Sequence, residues 1–184
     1  MKKTWLIVIA LVAFLGLWLF SGYNNLVTAE ENVNSKWGQV ENQLQRRGDL
    51  IGNLVETVKG YVAHEQKVFG QIAEARARLA GAQTPARAAQ ATGELEGALS
   101  RLLVVVENYP NLKADTNFRA LMDELAGSEN RIAVARKDYN EAVQYYNTSI
   151  RRFPTVIMAN TLGFGPKEYF KAEERAKEVP KVRF

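Results

Sequence analysis

The stretch RRGDLIGNLVETVKGYVAHE, Arg46 to Glu65, decides the fold. It carries two familiar signals at once. Arg47-Gly48-Asp49 spells an adhesion tripeptide, and His64-Glu65 opens like the helix of a zinc protease. The surrounding pattern argues for neither. Leu26, Val33, Val40, Arg47, Leu54, Tyr61, Val68 and Ala75 form a row of seven-residue steps. A companion row runs Glu30, Trp37, Leu44, Ile51, Val58, Glu65, Ile72 and Leu79. Thirteen of these sixteen positions are apolar, and alternating steps of four and three keep them on one helical face. The simplest reading is one uninterrupted helix from Leu26 to Leu79, roughly 80 Å long. Arg47 then falls on the buried stripe, whereas an adhesion tripeptide needs an exposed loop tip. The zinc motif fails because it needs a second histidine four residues after the first, and position 68 is Val68. Gly48 and Gly52 are weak helix positions, each costing about 1 kcal/mol against alanine, and mark a place where the helix can bend.

Upstream lies TWLIVIALVAFLGLWLF, Thr4 to Phe20, a run without charge that follows Lys2 and Lys3. As a helix it measures about 25 Å, slightly short of a ~30 Å hydrocarbon core. Trp5 and Trp18 stand near its ends, where aromatic rings favour the membrane interface. A cleaved signal peptide would have a shorter apolar core followed by a small-x-small site. This run ends Leu19-Phe20-Ser21-Gly22, so an uncleaved signal anchor is the expectation. Lys2 and Lys3 precede the span, while Glu30 and Glu31 are the first charges after it. The positive-inside rule therefore puts the N-terminus in the cytoplasm and the remainder outside. The expected localisation is the bacterial cytoplasmic (inner) membrane, crossed once, with the bundle on the periplasmic or extracellular side.

Downstream, Thr84-Pro85 announces a helix start. Leu95, Leu99, Leu102, Val106 and Tyr109 continue its stripe, and Pro110 stops it. PNLKA reads as a short loop, after which Asp115 caps a third helix running to about Arg152. Its large row is Phe118, Leu125, Ile132, Tyr139 and Tyr146; Leu121, Ser128, Ala135, Ala142 and Ser149 lie beside it and are mostly small. Large beside small lets facing helices interlock. Pro154 begins a short fourth helix, and KEYFKAEERAKEV is helical in composition but polar. The expected fold is all-α: an elongated antiparallel bundle of three long helices plus a short fourth, preceded by one transmembrane helix. The expected organisation is an anchor over residues 1–23, a bundle over 24–165 and a charged tail over 166–184.

Composition narrows the function classes. The chain of 184 residues has no cysteine, one histidine and a net charge of +4, of which Lys2 and Lys3 supply two. Thiolate metal sites and two-histidine sites on one chain are excluded. The charge is too small for a nucleic-acid footprint. Arg47 and Glu65 sit on the stripe about 27 Å apart along a helix, too far to pair, so each is expected to reach the edge or meet an opposite charge on a neighbouring helix. Tyr139-Asn140 and Tyr146-Asn147 share a face, and asparagine there can satisfy a buried tyrosine hydroxyl. No catalytic, cofactor-binding or metal-ligating residue is singled out. The expected partners are the lipid bilayer through residues 4–20 and other membrane or envelope proteins.

The segments YNNLV, SKWGQVENQLQRRGDLIGNLVETVKGYVAHE, ENYPNLKADTNF, ENRIAVARKDYNEAVQYYNTSIRRFP and GFGPKEYF resemble the LemA family. The resemblance covers nearly all of the chain after the anchor. It implies a bacterial protein with one N-terminal span and a helical bundle, and it carries no catalytic residue over to this chain. The family commonly reads DLIPNLV where this chain has Gly52, so a bend implied by that proline is expected to be milder here. The residues and the resemblance together point to a non-enzymatic interaction or scaffold protein. An enzyme with a site between helices, or a lipid- or membrane-remodelling factor, is the alternative.

Overall fold

The computed structural model describes residues 2–62 and 65–171. Six helices and no strand occur among the described residues: α1 (Lys2–Lys59), α2 (Gln66–Ala80), α3 (Pro85–Val106), α4 (Pro110–Ala114), α5 (Thr116–Ser149) and α6 (Thr155–Leu162). The all-α architecture agrees with the sequence pattern. The apolar N-terminal segment and the first bundle helix are one helix of 58 residues, which continues through Gly48 and Gly52. α1 is the one described helix long and apolar enough to cross a membrane, and its most apolar window is unburied.

The expectation of a single helix from Leu26 to Leu79 is corrected. α1 stops at Lys59, and α2 begins at Gln66. The backbone N–H groups of Tyr61 and Val62 both turn back to the Val58 carbonyl, at 2.9 and 3.0 Å. α2 then runs antiparallel to α1. Lys59 Nζ lies 5.7 Å from the centre of the Phe69 ring, and Arg76 reaches Asp49 at 3.6 Å. Arg76 lies so close over Gly52 that a Cβ there would meet Nη1 at 2.6 Å. The buried stripe shows the same break: Leu54 and Val58 are buried, Tyr61 is exposed, Glu65 and Val68 are half-exposed, and burial resumes at Ile72, Ala75 and Leu79. The physical reason is local. Gly60 weakens the helix, and folding α2 back buries more apolar area than a solitary rod could. PNLKA, expected as a loop, forms α4 with Pro110 in its first turn, where the missing N–H costs nothing. α5 ends at Ser149, a little before the expected Arg152.

The caps follow the sequence. Thr84 Oγ1 accepts from the Arg87 N–H at 3.3 Å, and Asp115 Oδ1 accepts from the Phe118 N–H at 2.9 Å.

The chain forms two compact units. One comprises residues 1–37 and 138–167, the other residues 38–137 and 168–184. In the first unit, α5 lies antiparallel to α1: Trp37 packs on Tyr139 with ring centres 5.3 Å apart, and Lys36 pairs with Asp138 at 3.3 Å. Its core holds Leu26, Val33, Val143, Tyr146, Ile150 and Met158. In the second unit, α2 and α3 are antiparallel, tied by Arg78–Glu94 at 2.8 Å and Arg101–Gln71 at 2.7 Å. Val40, Ile51, Leu54, Ile72, Leu95, Leu102, Leu112 and Ile132 fill its core. Each large side chain buried there contributes about 1.5–3 kcal/mol. The charged tail beyond Lys171 lies outside the described residues.

Candidate functional site

Two features of the second unit collect polar side chains. The first is a charge cluster around Arg47, only 7% exposed. Its guanidinium bonds Glu129 of α5 through Nη1 and lies 3.8 Å from Glu96 of α3 through Nη2. This is the expected fate of a charge on the stripe: opposite charges from neighbouring helices come to it. Arg47 also has a like charge nearby, Arg136, whose guanidinium stacks on Phe170 at 4.5 Å. Burial lowers the affinity of both arginines for their protons, and the carboxylate of Glu96 opposes that shift at each. The cluster therefore alternates two cations with two half-exposed anions and screens its own charge. The Nε atoms of Arg47 and Arg136 are buried without a hydrogen-bond partner among the described residues. The tripeptide Arg47-Gly48-Asp49 lies within α1, its arginine committed to α3 and α5 and its aspartate to Arg76 of α2. That geometry cannot display it to an adhesion receptor.

The second feature is a cleft of about 780 Å³ where the hairpin of α1 and α2 meets the start of α3. Glu41, Gln45 and Asp49 line one wall, Arg76, Ala77 and Ala80 the other, and Ala88 of α3 closes an end. Its size falls within the range of ligand clefts. Small residues on the α2 wall open it, and Arg76 is its only cation among the described residues. Sequence periodicity could not reveal this cleft, because it exists only when α2 folds back. The alanine-rich run of α2 was its one visible trace. Among the described residues, no three His, Cys, Asp or Glu side chains group as a metal site. His64 lies outside the described residues. Glu65 stands before α2 without capping it through its side chain, so its stripe position is lost with the helix break.

In the first unit the Tyr146-Asn147 pair behaves differently from expectation. Asn147 does not serve the Tyr146 hydroxyl. Its Nδ2 donates to the Lys167 carbonyl and its Oδ1 accepts from the Lys167 N–H, each at 2.9 Å. The Tyr146 hydroxyl is buried with no partner among the described residues, and burial raises its pKa. Asn147 thus clamps the returning segment, and Lys167 adds an ion pair to Glu30 at 2.6 Å.

The same unit holds an apolar groove of about 620 Å³ between α1 and α6, lined by Trp18, Phe20, Tyr23, Ile157, Met158 and Leu162.

The profile of the LemA family matches residues 36–184, the part of the chain that holds both polar features. The chain belongs to the LemA family. Among curated relatives, magnetosome protein MamQ 2 of Paramagnetospirillum magneticum is 32% identical over 94% of this chain and 72% of its own length. Magnetosome protein MamQ of Magnetospirillum gryphiswaldense is 30% identical over the same shares. Protein LemA of Metamycoplasma hominis is 22% identical over 82% of this chain and 69% of its own. The likeness to the MamQ proteins extends beyond the family's region, since 94% of the chain must take in much of the N-terminal helix. This LemA-family chain therefore joins an apolar helix able to cross a membrane to a helical bundle.

Proposed function

We propose that this LemA-family protein is a tethered docking module of the bacterial cytoplasmic membrane. It presents helical surfaces to other membrane or envelope proteins and carries out no reaction of its own. The observation that carries this reading is the continuity of α1. One helix supplies the apolar window and then, without a break, the wall of the polar cleft. No loop separates the two along the sequence of α1. The cleft adds Glu41 and Asp49 opposite Arg76, a mixed-sign surface suited to a polar segment of another protein. The MamQ relatives are named for a cellular structure, not for a reaction, which favours the same choice. Lys2 and Lys3 ahead of the span favour a bundle outside the cytoplasm.

The test is photo-crosslinking in intact cells. A photoreactive residue replaces Gln45 or Ala80 at the cleft, and a second series replaces exposed Val134 away from it. Discrete protein adducts at the cleft positions and not at Val134 are expected. Cleft positions that trap no protein, in cells where the full chain is membrane-bound, defeat the proposal.

A further inference from the structure

Residues 153–166 form a second run without charge, bounded by Arg151-Arg152 on one side and Lys167 on the other. The chain enters this run from α5, forms α6, and reverses at Gly163, whose φ of +82° suits glycine. Phe164 then meets Tyr23 edge to face at 6.0 Å, and Lys167 reaches Glu30. The run is therefore a tip, projecting along α1 past Glu30 toward the apolar window. Met158 and Ala159 are buried, and the Met158 methyl group sits where a Cβ on Gly22 would be. The tip is otherwise bare: Phe153 is 82% exposed, and Ile157 and Leu162, on the α6 wall of the groove, are 62% and 52% exposed.

The level of the tip follows from the length of the span. Thr4 to Phe20 covers about 25 Å, and a ~30 Å core needs about 20 residues, which carries the span to Tyr23. The first charge after Lys3 is Glu30, so nothing opposes that extension. The segment from Trp18 to Tyr23 then lies at the outer edge of the hydrocarbon, and it is the segment that forms the α1 wall of the apolar groove.

We propose that α6 is a second membrane contact. The tip of residues 153–164 lies in the boundary between headgroups and acyl chains, and lipid chains fill the groove between α6 and α1. The occupant is lipid because the groove is continuous with the bare surface of the window and both its walls are apolar. Burying Phe153, Ile157 and Leu162 there removes them from water. Arg151 and Arg152, both exposed, stand beside Phe153 where anionic headgroup phosphates would meet them.

This inference rests on the anchor reading, and the experiment separates the two. The chain has no cysteine, so single nitroxide labels are unambiguous. Labels go at Val12, Ile157, Leu162 and Val134 in the full chain, reconstituted into phosphatidylethanolamine–phosphatidylglycerol vesicles. All four sites are exposed, so labelling leaves the packing intact. Collision with oxygen should exceed collision with a water-soluble nickel chelate at Val12, Ile157 and Leu162. The order should reverse at Val134. Ile157 and Leu162 behaving like Val134, with Val12 in lipid, overturns the tip proposal alone. Spin–spin broadening at Ile157 also overturns it, by showing a second copy in the groove. Val12 in water overturns the anchor and this proposal together.

Discussion

Arg47 shows how one side chain reports on the tertiary fold. An arginine on an apolar stripe is costly unless anions come to it, and here Glu129 and Glu96 arrive from two other helices. Arg47→Ala should cost about 1–3 kcal/mol in chemical denaturation, toward the lower end because both glutamates keep access to water. Arg47→Met should recover part of the loss by keeping the aliphatic packing. Tyr146→Phe should be neutral or stabilising by up to about 1 kcal/mol, since it removes a buried hydroxyl that has no partner among the described residues. Asp115 gives a pH dependence with a definite sign. The Phe118 N–H, and after it the Tyr61 hydroxyl at 3.0 Å, hold its pKa below the ordinary value. A depressed carboxylate stabilises the fold fully above its unfolded pKa of about 3.9 and loses that contribution as pH falls through the folded value. The melting temperature should therefore drop on acidification below about pH 4, with a shallower acid limb in Asp115→Asn.

At the scale of helices, the starts marked by Thr84, Asp115 and Pro154 were legible, while the helical turn at Pro110 and the unpunctuated break after Lys59 were not. Thr84, Asp115 and Pro154 each stand at the helix start they predict. The turn after Lys59 escaped because an antiparallel hairpin can return the chain to the same heptad phase. Ile72, Ala75 and Leu79 are buried as the stripe requires, but in a helix folded back after Lys59 instead of in continuation of α1. Periodicity records which face is covered; it does not record by what. The cleft was hidden for that same reason, since its two walls are remote in a rod and adjacent in a hairpin. Labels at Gln45 and Ala80 should report a separation far below the ~50 Å that a straight helix would impose. A distance near that value, by pulsed dipolar spectroscopy, would restore the rod. The reversal at Gly163 carries its own prediction. A Cβ in left-handed backbone costs about 1–2 kcal/mol, so Gly163→Ala should destabilise the first unit by that amount while the α2–α3 pair keeps its hydrogen-exchange protection.

At the scale of the whole chain, the uncharged N-terminal run is what marks it for a membrane. Trp5, Leu6, Leu11, Phe14, Leu17 and Phe20 are each more than 60% exposed, a surface that a protein in water would have to cover. A bilayer covers it with no further contact from the bundle. Deleting residues 4–23 should therefore move the protein from the carbonate-resistant membrane pellet to the soluble fraction, with the far-ultraviolet helical signal of the bundle retained. Insertion alone leaves the direction open, because an apolar helix spans equally well either way. The expected direction rests on Lys2 and Lys3 in the short flank ahead of the span, since the first basic residue after it is Lys36. Alkaline phosphatase fused after Phe184 should then be active and a fluorescent protein at the same junction dark. Replacing both lysines with glutamate should shift part of the population to the opposite reading. A bright fluorescent fusion on the unaltered chain would place the cleft in the cytoplasm, and docking would then have to be sought among cytoplasmic proteins.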